Sequence, residues 1–221
     1  MNPKKVITID GPAGAGKSTV AKALAKHLGF AYVDTGAMYR ALTLKTLREK
    51  IDLENEELLV GLAKRTKIDL QKDDARGIKV FLDGEDVSQA IRSLEVTNNT
   101  FYIARAPRVR EIMVGWQRQI GLKQDIVMEG RDIGTVVFPK ATWKFYLDAD
   151  FEERAKRRIA ELENNGKSVD AKRLTGELQE RDHKDFTRNV GPLKKADDAI
   201  LIDSTHLSVE DVVQKILSHI S

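Results

Sequence analysis

The 221-residue sequence predicts an α/β fold, with a doubly wound, five-stranded parallel sheet and helices on both of its faces. Five short apolar runs resemble buried parallel strands, and amphipathic helical patterns separate them. The predicted strands cover residues 6–10, 30–34, 126–129, 143–147 and 199–203. The predicted helices cover about residues 18–28, 37–49, 107–121, 152–164, 171–188 and 208–220. In such a fold, ligands bind at the carboxyl ends of the strands.

Local signals support the first and last helices of this alternation. The first strand is β-branched and runs into a glycine-rich segment, and the helix after it stops at Gly29. Ser208 and Asp211 are spaced as a capping box at the start of the last helix. Residues 164–167 form a polar turn between two highly charged helices, and this turn is predicted to be the tip of a mobile lid.

One segment breaks the alternation between the second and third strands of the sheet. Residues 68–71 and 78–82 are short strand-like runs, and Asp83-Gly84 is a hairpin signal followed by the short run 86–88. The sequence therefore predicts a small antiparallel insert here.

The composition excludes several classes of function. With no cysteine, the chain can form neither disulfides nor cysteine-based metal sites, and its four histidines lack metal-ligand spacing. No run approaches the roughly 20 apolar residues of a membrane span, and the first strand begins too early for a signal peptide, so a cytoplasmic protein is expected. The formal net charge of +3 is too small to indicate a nucleic-acid partner.

Residues 11–18 form a complete G-x-x-x-x-G-K-[ST] phosphate loop, the strongest motif in the chain. It consists of Gly11, Pro12, Ala13, Gly14, Ala15, Gly16, Lys17 and Ser18, with Thr19 next in the helix. Its glycines let backbone N–H groups approach phosphates, Lys17 suits the β- and γ-phosphates, and the Ser18 hydroxyl suits Mg²⁺. Strand, loop and helix follow in the required order, which predicts a P-loop NTPase-type fold that binds a nucleoside triphosphate.

Two further clusters at strand ends suit a second phosphate compound. The first runs from Asp34 through Thr35 to Arg40, and the second is Glu129-Gly130-Arg131-Asp132. Arginine offers a planar fork for phosphate, and a carboxylate can accept from an amino group or pair with a neighbouring arginine.

Arginines also recur at helical spacing on the two charged helices. Arg154, Arg157 and Arg158 stand at i, i+3 and i+4, whereas Arg181, Asp185 and Arg188 stand at i, i+4 and i+7, so each set is predicted to share one helix face. Such patterns are usually solvated faces. The consistent use of arginine instead favours a role in neutralising the charge of two phosphorylated substrates.

The full set of motifs resembles the bacterial cytidylate kinases, a family of P-loop nucleoside monophosphate kinases. The resemblance rests on seven segments in the family's order: 11–18, 34–40, 84–88, 107–111, 130–139, 152–158 and 180–182. It implies transfer of the ATP γ-phosphoryl group to CMP or dCMP by a monomer, with Mg²⁺. It also implies one kinase domain over 1–221, with a core (about 1–34, 122–150 and 190–221), a region that binds the nucleoside monophosphate (about 35–121, including the insert) and a short lid (about 151–189).

The same resemblance implies a role for each site residue. Gly11 to Thr19 would hold the ATP phosphates, with Lys17 on the transferred group and Ser18 on Mg²⁺. The lid residues Arg154, Arg157 and Arg158 would close over the triphosphate. On the acceptor, Thr35, Arg40, Arg131 and Arg188 would bind near the CMP phosphate, Arg110 and Asp132 would contact the cytosine edge, and Arg181 and Asp185 would hold the sugar. The residues expected to act in catalysis are Lys17, Asp34, Arg131, Arg157 and Arg188.

Two positions depart from the family pattern, and two other functions remain as alternatives. Glu129 replaces a frequent aspartate, and Phe101 falls where a small hydroxyl residue often contacts the base, with Thr100 adjacent.

A GTP-binding switch is one alternative function, because residues 66–69 and 74–77 resemble [NT]-K-x-D and D-x-x-G, although in reversed order. A kinase for another small acceptor, such as a different nucleotide or a hydroxy acid, is the second.

Overall fold

The structure, a computed structural model, describes residues 4–73, 77–164 and 170–220. The strands are β1 (Val6–Asp10), β2 (Ala31–Asp34), β3 (Ile68–Asp73), β4 (Gly77–Leu82), β5 (Glu85–Asp86), β6 (Ile126–Gly130), β7 (Trp143–Asp148) and β8 (Ile200–Asp203). The helices are α1 (Lys17–Leu28), α2 (Thr35–Arg48), α3 (Glu56–Lys64), α4 (Leu94–Arg105), α5 (Pro107–Lys123), α6 (Phe151–Asn164), α7 (Ala171–Thr187) and α8 (Val209–Leu217). A single π-helical turn, Ile133–Val137, follows β6 in the described chain.

The main sheet confirms the predicted fold class. Within the described residues it has five strands in the order β2-β6-β1-β7-β8, and every neighbouring pair is parallel. Alternate residues of one strand face opposite sides, so Val127 packs towards α1 and α8, whereas Ile126 and Met128 pack towards α2, α3, α4 and α5. The carboxyl ends of β1, β2 and β6 therefore lie side by side, which places their strand-end residues together.

Several helix boundaries have clear local causes. Gly29 ends α1 in the left-handed conformation, at φ 70°, and its N–H group bonds back to the last turn. Asp34 caps α2 by accepting from the Ala37 N–H at 2.8 Å, which starts this helix two residues earlier than predicted. The capping box of Ser208 and Asp211 is confirmed.

Two helices were not predicted from the sequence. Helix α3 is short, although Asn55 caps it and its buried side chains have helical spacing. Helix α4 contains several threonine and asparagine residues of low helix propensity. It buries Ile103 in the cluster against the main sheet and Val96 in a second cluster with α2 and the insert. Tertiary packing outweighs local preference in α4.

The antiparallel insert is confirmed between β2 and β6. Strand β4 pairs with both β3 and β5. Asp83 and Gly84 both have positive φ, at 50° and 91°, as a tight two-residue hairpin requires. Ile68 begins β3, and Lys67 pairs with Asp69 at 2.9 Å on the surface, so the [NT]-K-x-D resemblance falls on an insert strand. Three residues of the D-x-x-G resemblance, 74–76, lie outside the described residues.

The predicted helix 171–188 is one residue too long. Helix α7 ends at Thr187, and Arg188 is its C-cap: its N–H still donates to the Lys184 carbonyl, and its guanidinium lies 3.8 Å from Asp185, so it stays on the side of Asp185. The chain turns away from the helix here, and this brings the Arg188 guanidinium to the Gly191 carbonyl at 2.5 Å. Of the predicted lid tip, Asn164 ends α6, and residues 165–167 lie outside the described residues.

The hydrophobic clusters cross the predicted regional boundaries. One cluster joins sheet residues such as Val33 and Met128 with Leu42, Leu59 and Val109 of the predicted monophosphate-binding region. Among residues 4–73, 77–164 and 170–220, none of the helices has both the length and the apolar character needed to span a membrane. The division into core, binding region and lid stays a prediction.

Candidate nucleotide site

The phosphate loop connects β1 to α1 at the carboxyl end of the main sheet. Gly14 and Gly16 have φ of 78° and 87°, in the left-handed region that favours glycine. At Gly14 a Cβ would also lie 2.8 Å from the Arg154 carbonyl oxygen, so the loop and α6 approach backbone to backbone. Gly16 precedes α1 without a side-chain cap in the described residues, which leaves the N-terminal amides of the helix for an anion.

Lys17 is buried beneath this loop, whereas Ser18 and Thr19 are exposed on the first turn of α1. The Lys17 ammonium donates to the Pro12 carbonyl at 2.7 Å. Burial, followed by the nearby Arg131, lowers the pKa of Lys17 to about 7. A bound polyphosphate would favour the charged ammonium, so Lys17 is suited to gain a proton when an anion binds.

The second element of the site is a pair of strand-end carboxylates. Asp34 and Glu129 are Cα partners on β2 and β6. Arg40 lies 3.0 Å from Asp34, and together with the Ala37 N–H it outweighs the effect of burial and lowers the pKa of Asp34. Glu129 has no such cation in hydrogen-bond contact among the described residues, and burial, with Asp34 nearby, raises its pKa. The Tyr32 hydroxyl donates to Glu129 at 2.8 Å.

The acceptor side of the site is a chain of arginine–aspartate pairs. Arg131 donates from Nε to Asp185 at 2.8 Å. Asp132 pairs with Arg110 and lies 3.7 Å from Arg188. Burial raises the pKa of Asp132 even beside these cations, whereas Arg131, Arg181 and Arg188 outweigh burial and lower the pKa of Asp185. The residues expected to bind an acceptor are thus paired with one another.

Most of the predicted site residues line one cavity of about 2020 Å³. This is larger than the ~300–1,000 Å³ of a usual small-molecule pocket, and it suits two nucleotides. The predicted site residues in its lining are Ala13, Gly14, Lys17, Ser18, Thr19, Asp34, Thr35, Arg40, Arg131, Asp132, Arg158, Arg181, Asp185 and Arg188. Burial, followed by Arg131, lowers the pKa of Arg181 to about 10 in this crowded cationic wall.

Some predicted residues lie behind the cavity wall. Gly11, Pro12 and Ala15 form the buried side of the phosphate loop, and Gly16 is half-buried. Arg110 is only 2% exposed, and it donates to the Ala104 carbonyl at 3.1 Å in addition to its pairing with Asp132. Thr35, at the edge of the cavity, donates its hydroxyl to the Glu129 carbonyl at 2.7 Å. In this conformation Asp132, and not Arg110, lines the cavity.

The three arginines of α6 have different surroundings. Arg154 is buried against the phosphate loop and donates to the Ala13 carbonyl at 2.9 Å. Arg157 donates to the Ser204 and Thr205 carbonyls at 2.7 and 3.2 Å. Arg158 pairs with Glu161 at 2.6 Å and is the member of this set that lines the cavity.

The structure also separates Thr100 and Phe101, the two residues near the expected contact with the base. Thr100 lines the main cavity and accepts from the Thr43 hydroxyl at 3.4 Å. Phe101 instead lines a second, smaller cleft, where the Lys184 ammonium lies 5.3 Å from its ring. The Thr100 hydroxyl therefore faces the cavity one residue before Phe101, the position that corresponds to the small hydroxyl residue of the family.

Sequence reasoning missed Asp10, whose carboxylate holds the backbone that directly follows Arg131 and Asp132. Its carboxylate accepts from the Ile133 and Gly134 N–H groups at 2.8 and 2.7 Å, at the start of the π-helical turn after Arg131-Asp132. Burial raises the pKa of Asp10 to about 7. Its position at the end of a buried strand, directly before Gly11, was the available signal. Asp182, one residue after Arg181, was also missed, and it bonds to the phosphate loop.

The parallel sheet, the phosphate loop and the arginine-lined cavity define a P-loop nucleotide-binding protein. Comparison with known proteins gives a narrower assignment. The model of the family described as Cytidylate kinase matches residues 7–221. The chain is 51% identical over 218 residues to the cytidylate kinase of Desulforamulus reducens, covering 99% of this chain and 97% of that protein. It is 52% identical over 210 residues to the cytidylate kinase of Caldanaerobacter subterraneus subsp. tengcongensis, covering 95% of this chain and 92% of that protein.

A solved structure supports the fold independently. A gluconokinase from Sinorhizobium meliloti aligns over 98% of this chain and 90% of its own, with a TM-score of 0.50 and 13% identity, which shows a shared fold alone. The match to the family model extends over nearly the whole chain, and the relatives are about half identical to it. The chain therefore belongs to the cytidylate kinase family.

Proposed function

We propose that this protein transfers the γ-phosphoryl group of ATP to CMP and dCMP, giving ADP and the corresponding diphosphate. Membership of the cytidylate kinase family supports ATP as the donor and a cytidine nucleotide as the acceptor. The observation that carries the residue assignment is the common cavity, which is lined by Lys17 and other residues of the phosphate loop together with Arg40, Arg131, Arg181 and Arg188. Positive groups of this number suit two phosphorylated substrates whose charges must be brought together.

The acceptor would bind by exchanging the protein's own ion pairs for contacts with CMP. The phosphate of CMP would replace Asp185 on Arg131 and Asp34 on Arg40, and Arg188 would complete the clamp. The freed Asp185, with Arg181, would hold the sugar hydroxyls. Asp132, held by Arg110, would contact the cytosine edge. All these groups belong to one chain, so a monomer would contain the complete site.

The residues at the donor end fit a magnesium ion. The exposed Ser18 hydroxyl is next to Lys17, and the carboxylates of Asp34 and Glu129 line the same cavity. These are oxygen donors, as Mg²⁺ prefers, and the ion commonly takes few protein ligands in addition to phosphates and water. No cluster of three or more potential metal-binding side chains occurs in the described residues, which fits an ion held chiefly by the nucleotide. When bound, the ion would neutralise charge on the β- and γ-phosphates.

Catalysis in this proposal depends on positioning and charge neutralisation. The second pKa of a phosphate monoester is about 6, so the CMP phosphate is largely ionised at neutral pH and needs no strong general base. Lys17 and Arg131 would hold the two reacting phosphates in line, and Arg157, Arg158 and Arg188 would support the charge that develops. Transfer is direct, because neither a nucleophilic side chain nor a covalent intermediate is required.

The test is ADP formation from Mg·ATP with CMP, dCMP, UMP, AMP or shikimate offered singly, each against an acceptor-free control. We expect rapid turnover with CMP and dCMP and little with the other three. Turnover with UMP or AMP instead would retain a kinase but overturn the roles given to Arg110 and Asp132. The absence of turnover with every acceptor, together with tight GTP binding, would refute the proposed function.

A further inference from the structure

Ala13 of the phosphate loop is enclosed by the two helices at the base of the predicted lid. Its methyl group packs with Ala155 of α6 and Leu178 of α7. Its N–H donates to the Asp182 carboxylate at 3.3 Å, and its carbonyl accepts from Arg154 at 2.9 Å. The methyl group, the N–H group and the carbonyl group of Ala13 are therefore all held by α6 and α7.

Arg154 and Asp182 themselves form a buried ion pair. Nη1 of Arg154 lies 2.5 Å from Asp182, and the two side chains are 9% and 10% exposed. Arg154 Nε also donates to the Ala149 carbonyl at 3.0 Å, so the guanidinium is fixed from a third direction. Removing one member of such a pair leaves an uncompensated buried charge, whereas removing both members is often tolerated.

A second connection joins α6 to the same loop. Arg157 donates to the Ser204 hydroxyl at 3.2 Å, and that hydroxyl shares its proton between the Asp148 and Ala15 carbonyls at 3.0 and 3.2 Å. Together with the close approach of Gly14 to Arg154, these contacts fix the outer side of residues 13–15. The loop glycines lack side chains that could hold their own conformation, so the shape of the loop depends on these external contacts.

We infer that Asp182 is a positioning residue for the donor nucleotide, which together with Arg154 holds Ala13 and the phosphate loop in the shape that receives ATP. The Ala13 N–H is directed to Asp182 and not to a phosphate, and Arg154 acts through Ala13 and does not contact the triphosphate. Arg154 also compensates the negative charge of Asp182, which would otherwise repel the phosphates. The inference rests on the proposed function only in taking ATP as the donor.

Asp182→Asn tests this inference by direct binding. Affinity for the magnesium complex of adenosine 5′-(β,γ-imido)triphosphate and for CMP is measured separately by calorimetry, without turnover. We expect donor affinity to fall about tenfold, because the amide has one acceptor oxygen and can keep only one of the two bonds that the carboxylate accepts from Ala13 and Arg154, while CMP affinity stays within about twofold. The matched control is Glu180→Gln on the same helix, whose carboxylate is exposed and pairs with Lys184, and it should bind both ligands as the wild type does.

A double variant separates positioning from stability. Arg154→Met with Asp182→Leu removes both buried charges, so we expect an unfolding temperature near that of the wild type. Donor affinity should nevertheless remain about tenfold weaker, because both backbone contacts of Ala13 are lost. Unchanged donor affinity in either folded variant, or an equal loss for donor and CMP, would overturn the inference. Failure of the wild type to phosphorylate CMP would refute the proposed function, and the donor-binding comparison would still be informative.

Discussion

The donor and acceptor ends of the cavity are built in different ways. At the donor end, the backbone defines the shape, and three buried contacts hold Ala13 in place. At the acceptor end, side chains define the shape, and the cations are paired with carboxylates of the same site, as Arg131 is with Asp185 and Arg40 with Asp34. The backbone of the donor site is thus formed before its ligand arrives, and only Lys17 must leave the Pro12 carbonyl, whereas the acceptor site must exchange several ion pairs.

This difference has consequences for affinity and specificity. A preformed backbone site binds phosphates through amides and a helix terminus. It therefore needs little rearrangement, and it discriminates little between different bases. A self-paired site neutralises its own charge until an acceptor with matching phosphate, sugar and base can replace every pair. Specificity is therefore expected to depend on the acceptor end.

The largest effect is expected at the acceptor phosphate. Arg131→Ala should lower kcat about a thousandfold, because a guanidinium that stabilises the transferring phosphoryl group would be lost. The KM for ATP should change little, since the donor end is built from other residues. Steady-state kinetics with both substrates varied measure this difference. Arg173→Ala on α7, whose exposed guanidinium pairs with Glu177, is the matched control. Unchanged turnover in Arg131→Ala would remove this residue from the clamp.

The next effect concerns base recognition. Asp132→Asn should lower kcat/KM for CMP about a hundredfold, because the variant loses a charged acceptor and leaves the Arg110 guanidinium buried without its carboxylate. The KM for ATP is the internal reference and should stay within about twofold. Thermal unfolding is measured in parallel, and we expect a lower melting temperature. An equal loss of efficiency with CMP and of affinity for ATP would indicate general damage and contradict a role at the base.

The same contrast explains how much the sequence could predict. The phosphate loop and the strand from 6 to 10 are contiguous, and the Asp83-Gly84 hairpin depends on two neighbouring residues, so local pattern sufficed for these elements. The partners of the arginines come from distant segments: Arg131 meets Asp185 of α7, and Arg154 meets Asp182 and Ala13. Helical spacing placed Arg154 with Arg157 and Arg158 correctly on α6, but it could not show that they have separate partners. It also placed Arg188 beside Asp185, although the helix ends one residue earlier.

A smaller effect tests whether the acceptor end is held closed by its own charges. Asp185→Asn removes the carboxylate that pairs with Arg131, so the guanidinium becomes available to an anion. We expect inorganic phosphate to compete with CMP about five- to tenfold more strongly in this variant, even though sugar binding is weakened. Inhibition constants for phosphate against CMP and against ATP provide the measurement. Phosphate inhibition equal to that of the wild type would mean that this pair does not limit access to Arg131.

The smallest effect is a pH dependence at the donor end. Lys17 has a pKa of about 7 in the free protein, and the negative phosphates of a bound nucleotide should raise it. The bound state then holds more protons, so affinity falls as pH rises through the free pKa. For one such group, the loss is about fivefold between pH 7 and pH 8, a range above the pKa of the phosphates themselves. Calorimetry with the magnesium complex of the imido analogue, in buffers of different ionisation enthalpy, should detect the proton uptake. Lys17→Arg keeps the charge at every pH tested and should abolish both the slope and the uptake. Persistence of the slope in that variant would assign it to another group, such as Glu129.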